Sequence, residues 1–212
     1  MEVKLSEIRT KIISLPTETQ RRENMKNLLD GVEHTNYEFF DSIKTQPYWI
    51  GCGLSHRECL AFEEAPLLTL EDDVAITEHY RDVIDIPEEA DIVYLGCSHW
   101  GTKSGTSQLK GVNYEKYNED YYRVSHMVGA HAILYMNNKA IKDFSGTIVR
   151  QLFEVDRPFD EVYARLQEKY VILTPINPFY YQNCEKNEVY TRPPLHAKYI
   201  VNGVEYQGDP LL

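Results

Sequence analysis

Short apolar runs alternate along the chain with segments whose apolar residues recur at helical spacing. The apolar runs predict strands over residues 8–15, 36–40, 67–70, 91–96, 124–136 and 171–174. The segments with helical spacing predict helices over residues 16–31, 54–64, 78–84, 137–144 and 159–170. Because strands and helices interleave, the pattern predicts an α/β domain with a mostly parallel central sheet.

Glycine and proline interrupt this pattern at a few places. Residues 47–53 predict a loop between the second strand and the second helix. Residues 98–120 carry Gly101, Gly105 and Gly111 among polar residues, which indicates a long mobile loop. The chain becomes polar and proline-bearing after Asn183 and is expected to form an extended tail.

Three consecutive carboxylates, Glu71, Asp72 and Asp73, follow the strand over residues 67–70 and precede another apolar run. Carboxylates between buried segments are costly unless a cation neutralises them, and a hard divalent ion with oxygen ligands suits this chemistry. In an extended chain Glu71 and Asp73 point the same way while Asp72 faces elsewhere. The alternative is an acidic turn that ends the strand, with Asp73 capping the next element.

A second candidate site lies at the first strand-to-helix junction, which consists of Leu15, Pro16 and Thr17. The free backbone N–H groups and the dipole of a helix N-terminus suit a phosphate. Arg21 and Arg22 lie within the first two turns, where one of them could reach a diphosphate or a base. The alternative is that both arginines are solvated surface charges. The chain has no GxGxxG or Walker loop, so a dinucleotide enzyme and a P-loop enzyme are not indicated.

Composition narrows the classes of protein that are possible. The 212 residues are 42% hydrophobic and 26% charged, which suits one domain. The net charge of −11 argues against a general binder of nucleic acid or anionic membranes. No apolar run is long enough to span a bilayer and no signal-peptide core is evident, so we expect a cytoplasmic protein without a transmembrane segment. The four cysteines are scattered without CxxC pairs, which favours reduced thiols over zinc or disulfides.

Six segments, in order, resemble the family 25 glycosyltransferases, the lipooligosaccharide and collagen galactosyltransferase group. The segments are IISLPTETQRR at residues 12–22, YEFFD at 37–41, GCGLSH at 51–56, LEDDV at 70–74, DIVYLG at 91–96 and GAHAIL at 129–134. The resemblance extends over roughly residues 8–180. It implies a GT-A fold, which is a single Rossmann-like nucleotide-sugar-binding domain, over residues 1–182. Residues 183–212 are then expected to be a tail that packs on or covers the active site.

The resemblance also implies a metal-dependent transfer of a hexose, galactose or glucose, from a UDP-sugar with Mn²⁺ or Mg²⁺. Asp73 is the expected metal ligand, with Glu71 supporting it directly or through water, and Asp72 meets the ribose or the sugar. A histidine from the C-terminal segment completes the metal site in several GT-A enzymes, which makes His196 a candidate ligand. The acceptor is a glycan, a protein or a small molecule. These assignments agree with the chemistry, because a bound metal stabilises the departing diphosphate as a Lewis acid.

The resemblance implies inversion at the anomeric carbon, which requires a base that deprotonates the acceptor hydroxyl. Asp160, which follows Pro158 closely, matches an acidic position of the family, and Asp156 lies one turn earlier. The alternative for Asp160 is a carboxylate that stabilises a helix N-terminus, and that position is expected to lower its pKa. Other functions remain open: a nucleotide-sugar hydrolase, a nucleotidyltransferase, or a catalytically silent module that binds nucleotide sugars.

Overall fold

The computed structural model describes residues 1–98, 101–102, 109–110, 112–154, 159–182, 198–201 and 204–207. The described helices are α1 Thr19–Gly31, α2 Tyr48–Leu60, α3 Asn138–Glu154 and α4 Phe159–Leu166, with short 3-10 turns at Leu5–Glu7 and Gln167–Lys169. The first described strands are β1 Glu2–Lys4, β2 Thr10–Ser14, β3 Tyr37–Asp41, β4 Leu67–Glu71, β5 Val74–Ile76, β6 Val83–Asp85, β7 Ile92–Tyr94 and β8 Gly101–Thr102. The remaining strands are β9 Leu109–Lys110, β10 Asn113–Lys116, β11 Tyr121–Ser125, β12 Ala132–Tyr135, β13 Ile172–Pro175, β14 Tyr180–Gln182, β15 Lys198–Val201 and β16 Val204–Gln207.

The central sheet of the described chain has eight strands in the order β10-β11-β13-β7-β12-β4-β2-β3. The pairs β2–β3, β2–β4 and β7–β13 are parallel, whereas β12 runs antiparallel to both β4 and β7. The β10–β11 and β11–β13 pairs are also antiparallel. The domain is therefore α/β as the sequence predicts, but its sheet is mixed rather than mostly parallel. The reason is that β12 returns between two strands of the opposite direction.

The central strands are buried because each has helices or loops on both faces. Alternate residues of these strands contribute to two separate cores, as the period of two in a strand requires. One core contains Leu67, Tyr94 and Ile133 together with apolar residues of α2, α3 and α4. The other contains Leu68 and Val93 together with apolar residues of α1. The sheet thus lies between α1 on one face and the three-helix layer on the other.

Several local predictions differ from the structure. Residues 47–53 are largely helical, because α2 begins at Tyr48 and already includes Gly51 and Gly53. Residues 78–84 do not form a helix. They form a turn that leads into β6, which pairs with β1 in a two-stranded sheet. The run over residues 124–136 is divided between β11 and β12, with a break at residues 126–131.

The loop predicted over residues 98–120 contains an edge strand of the central sheet, β10, so it is only partly a loop.

Asn137 caps α3 as predicted, because its side-chain oxygen accepts a hydrogen bond of 2.8 Å from Lys139 N. In the region predicted to be a tail, β15 and β16 pair as an antiparallel hairpin. No helix in the described part of the chain is long and apolar enough to cross a membrane.

Candidate functional site

Polar side chains gather at the edge of the sheet where the parallel strands β2, β3 and β4 end. Ser14 ends β2, Asp41 ends β3 and Glu71 ends β4, and the pairing of these strands brings the three residues to the same edge. Ligand sites of α/β sheets are found at such carboxyl ends. The acidic triplet therefore lies where the fold is expected to bind a ligand.

Glu71 and Asp73 face a common donor, the side-chain amide of Gln182. Gln182 Nε2 lies 3.4 Å from Glu71 Oε2 and 3.2 Å from Asp73 Oδ2. Gln182 reaches this position because β14 pairs antiparallel with β5, which places it opposite Val74. The sequence offered no signal for Gln182, since that pairing joins segments about a hundred residues apart.

The pKa values of the two carboxylates shift in opposite directions. Burial raises the pKa of Asp73 to about 6, and the negative charge of Glu71 adds to this effect. Burial also acts to raise the pKa of Glu71, but the hydrogen bond with His56 and the basic side chains of His131 and Arg21 lower it overall. The site thus holds an ionised Glu71 beside an Asp73 that readily takes up a proton.

Asp72 points away from this pair and joins the end of β2 to the first turn of α1. Its carboxylate accepts hydrogen bonds of 2.7 Å from Ser14 Oγ and 2.9 Å from Arg21 Nη1. Asp72 and its two acidic neighbours point in different directions, as predicted, but Asp72 and Asp73 form the turn between β4 and β5 and not an extended chain, which agrees with the alternative of an acidic turn that ends the strand. The Arg21 side chain is 51% exposed, so its guanidinium lies at the surface of the site.

Arg22 is less accessible than Arg21, since 23% of its side chain is exposed. Its guanidinium donates to Ser14 O at 2.8 Å and to Asp41 Oδ1 at 2.5 Å, and it lies 5.0 Å from the ring centre of Phe39. The guanidinium of Arg22 thereby ties the ends of β2 and β3 together.

The junction of Leu15, Pro16 and Thr17 forms a turn between β2 and α1, as predicted. Glu18 N donates to Leu15 O at 3.0 Å, and α1 begins at Thr19 with Glu18 at the N-cap. No side-chain hydrogen bond caps this end of the helix. Pro16 and Thr17 are exposed, so the turn borders the site from the solvent side.

Asp160 lies in the first turn of α4 and interacts electrostatically with Glu71. Its Oδ1 accepts a hydrogen bond of 3.0 Å from Glu161 N. The helix N-terminus does not lower the pKa of Asp160 overall as the sequence led us to expect. Burial and the charge of Glu71 outweigh it and raise the pKa to about 6.

The GCGLSH segment belongs to α2, and its last residue, His56, contacts Glu71. Gly51 leaves room for the preceding loop, because a Cβ there would lie 2.3 Å from Ile43 O. Ser55 Oγ accepts a hydrogen bond of 2.8 Å from Ile43 N and donates one of 2.7 Å to Gly51 O. His56 Nε2 lies 3.0 Å from Glu71 Oε1, and its ring stacks on Phe159 with 4.4 Å between the centroids.

His131 lies behind Glu71 at the start of β12. Its carbonyl oxygen accepts a hydrogen bond of 2.9 Å from Glu71 N. Its ring packs against Gly96, where an added Cβ would lie 2.1 Å from His131 Nε2. Burial lowers the pKa of His131 to about 4, so the ring is neutral near pH 7. The buried position favours a supporting role for His131 over direct contact with a substrate.

Two candidate residues, Asp156 and His196, lie outside the described residues. Within the part of the chain that the structure describes, metal-ligating side chains also come together where Cys52, His56 and Glu71 each offer an atom within 4.8 Å of the others. No protein-family model matches the chain. A comparison with curated proteins finds no match either.

Proposed function

We propose that the protein is a metal-dependent glycosyltransferase with a GT-A-like domain, related to family 25, that transfers a hexose from a UDP-sugar to an acceptor hydroxyl with inversion. The observation that carries the proposal is the pairing of Glu71 and Asp73 across the Gln182 amide at the carboxyl edge of the sheet. The resemblance of the six sequence segments supports the choice of donor and of reaction class in this proposal.

The residues at this edge fit a hard divalent cation. Glu71 and Asp73 offer carboxylate oxygens, which Mn²⁺ and Mg²⁺ prefer as ligands. The Gln182 N–H donors lie between the two carboxylates, where positive charge is most favourable. Burial and, after it, the negative charge of Glu71 raise the pKa of Asp73, and both effects favour a partner that neutralises the carboxylate.

The basic groups next to this pair suit the nucleotide end of the donor. Arg21 presents an exposed guanidinium beside Asp72, and the turn over Leu15, Pro16 and Thr17 precedes the first turn of α1. Arginine recognises phosphate oxygens through its fork of donors. In this proposal Arg21 meets the diphosphate, whereas Arg22 keeps the ends of β2 and β3 in place.

Asp160 is the proposed base. The acceptor oxygen forms a bond to the anomeric carbon as the bond to the diphosphate oxygen breaks, and Asp160 takes the hydroxyl proton. When bound, the metal ion stabilises the negative charge that develops on the departing diphosphate. A pKa of about 6 suits a base that works near neutral pH, since it is largely ionised yet retains basicity.

The proposal is tested by calorimetric titration of UDP into the protein with and without Mn²⁺. We expect that each ligand strengthens binding of the other and that Asp73→Asn removes most of this coupling. Glu78→Gln, a change at an exposed acid just beyond β5, is the matched control and should retain the coupling. Wild-type UDP affinity in metal-loaded Asp73→Asn protein would overturn the assignment of Asp73.

The competing functions are separated by their products. A hydrolase releases free sugar from the UDP-sugar, a nucleotidyltransferase transfers the nucleotide, and a silent binding module gives neither product. Glycosyl transfer is supported if UDP and a glycosylated acceptor appear in equal amounts and free sugar does not exceed the uncatalysed background.

A further inference from the structure

Cys52, His56 and Glu71 form a cluster where α2 meets the end of β4. The cluster combines three kinds of metal-ligating atom, a sulfur, a nitrogen and an oxygen. Cys52 and His56 are four residues apart in α2, so they project from the same side of the helix. Glu71 approaches them from the end of β4. The three ligand atoms all lie within 4.8 Å of one another.

The donor set of this cluster differs from that of the Glu71 and Asp73 pair. A thiol and an imidazole favour zinc-class ions such as Zn²⁺, Co²⁺ and Cd²⁺, whereas Mn²⁺ and Mg²⁺ favour oxygen ligands. We infer that Cys52, His56 and Glu71 form a second metal site, one that binds a zinc-class ion and is distinct from the hard-cation site at Asp73.

The spacing of the ligand atoms is close to what such an ion requires. In a tetrahedral zinc site, nitrogen and oxygen ligands lie about 3.3 Å apart, and sulfur lies about 3.6 Å from either. His56 Nε2 and Glu71 Oε1 are 3.0 Å apart, so this pair needs almost no movement. The sulfur of Cys52 lies at most 4.8 Å from the other ligand atoms, so it needs to approach by no more than about 1.2 Å, which small changes of side-chain torsion supply.

The surroundings hold the ligands in place. The ring of His56 is buried, with 1% of its side chain exposed, and lies between Phe159 and an edge-on Tyr163. A metal ion bound at Nε2 takes the place of the proton that joins Nε2 to Glu71, so both ligands stay close to the positions that they already hold.

Cys52 binds a metal ion as the thiolate. Binding of a dication therefore releases the thiol proton to solvent, and the thiolate that forms becomes a ligand.

The test is a titration of the metal-free full-length protein with Cd²⁺, with and without a competing chelator. Binding is followed by the ultraviolet charge-transfer absorption that a thiolate gives with Cd²⁺. We expect the absorption to saturate at one equivalent and to disappear in Cys52→Ser. Cys59→Ala, which removes a buried thiol from the same helix, is the matched control and should keep the signal.

His56→Ala should weaken Cd²⁺ binding by more than the roughly 10–100-fold that loss of a supporting partner costs. The exposed His79 gives the control variant, His79→Ala. Circular dichroism of each variant checks that it is folded. If Cys52→Ser does not fold, the test uses the wild-type protein instead. In that test we measure whether one equivalent of Cd²⁺ protects Cys52 from alkylation. Saturable absorption that survives in folded Cys52→Ser, or no protection of Cys52, would overturn the inference.

Asp73→Asn separates this inference from the proposed function. We expect it to lose the Mn²⁺-dependent binding of UDP and to retain the Cd²⁺ absorption at its wild-type stoichiometry. If the protein binds no nucleotide sugar, the Cd²⁺ result is unaffected, because Cys52 and His56 take no part in the proposed transfer. If Asp73→Asn abolishes Cd²⁺ binding, the two sites are one and the inference fails.

Discussion

His56 Nε2 lies 3.0 Å from Glu71 Oε1, so a helix on one side of the sheet holds the last residue of a central strand. The contact lowers the pKa of Glu71 against the opposing effect of burial. It also explains why a histidine is needed at this position, because a buried carboxylate without a donor is costly. His56 therefore orients Glu71, the carboxylate that faces the candidate metal position.

Replacing His56 with alanine should destabilise the fold. The change removes a hydrogen bond to a charged group and a stacking contact with Phe159, and we expect a loss of about 2–4 kcal/mol in the free energy of unfolding. Urea unfolding with circular dichroism measures this loss. His79→Ala should stay within about 0.5 kcal/mol of wild type. A similarly small change for His56→Ala would show that the contact contributes nothing to stability.

Two glycines inside helices should respond to alanine in opposite ways. In α2, Gly51→Ala should destabilise strongly, because the new Cβ would lie 2.3 Å from Ile43 O, a backbone atom. In α3, Gly146 has nothing within 4 Å of a Cβ, so Gly146→Ala should stabilise by about 0.5–1 kcal/mol. Thermal unfolding of both variants checks the difference. Equal effects would mean that helix propensity, and not the close approach of the loop, determines the residue at position 51.

Asp73 should make stability depend on pH. An unfolded aspartate has a pKa of about 3.9. In the folded state the pKa of Asp73 is about 6, so the folded protein binds more protons between these values. Stability is therefore lost as pH rises from about 4 to 6 and stays lower above that range.

Without divalent ions, Asp73→Asn should be more stable than wild type by roughly 1–3 kcal/mol at pH 7.5, and the difference should vanish near pH 4. Urea unfolding at the two pH values in the presence of a chelator measures it, with Glu78→Gln as the control. A variant that is less stable than wild type at pH 7.5 would contradict the raised pKa.

Asp160→Asn tests the proposed base. The variant should bind the UDP-sugar normally and lose about two to four decades of turnover, the usual contribution of a general base. In the wild type, kcat/KM should fall as pH decreases through about 6, because protonation removes the base. Glu168→Gln, a change at an exposed acid beyond α4, is the control. Near wild-type turnover in Asp160→Asn would assign the role to another group.

The sequence predicts the parts of the fold that local patterns determine. The buried runs at β2, β4 and β7 and the Asn137 cap of α3 were correctly located. The antiparallel direction of β12 was not, because a strand's orientation depends on partners far away in the chain. The helix predicted over residues 78–84 is wrong for the same reason, since β6 pairs with β1, which lies about eighty residues earlier in the chain.

The same limit applies to the candidate site. The acidic triplet follows a buried strand as predicted, but Asp72 and Asp73 owe their directions to a turn and not to strand periodicity. The glycines at 51 and 53 led us to place Cys52 in a loop. The spacing of Cys52 and His56 becomes meaningful only once both lie in α2. Gly51 is present for the close approach of Ile43, which only tertiary structure reveals.

The pairing of β14 with β5 brings the Gln182 amide to Glu71 and Asp73. Gln182 is synthesised more than a hundred residues after Glu71 and Asp73. A ribosome-bound chain that lacks β14 holds both carboxylates without the amide that lies between them in the folded protein. The site is thus completed only after β14 has been made and has paired with β5, so its ion affinity reports whether these two segments have come together.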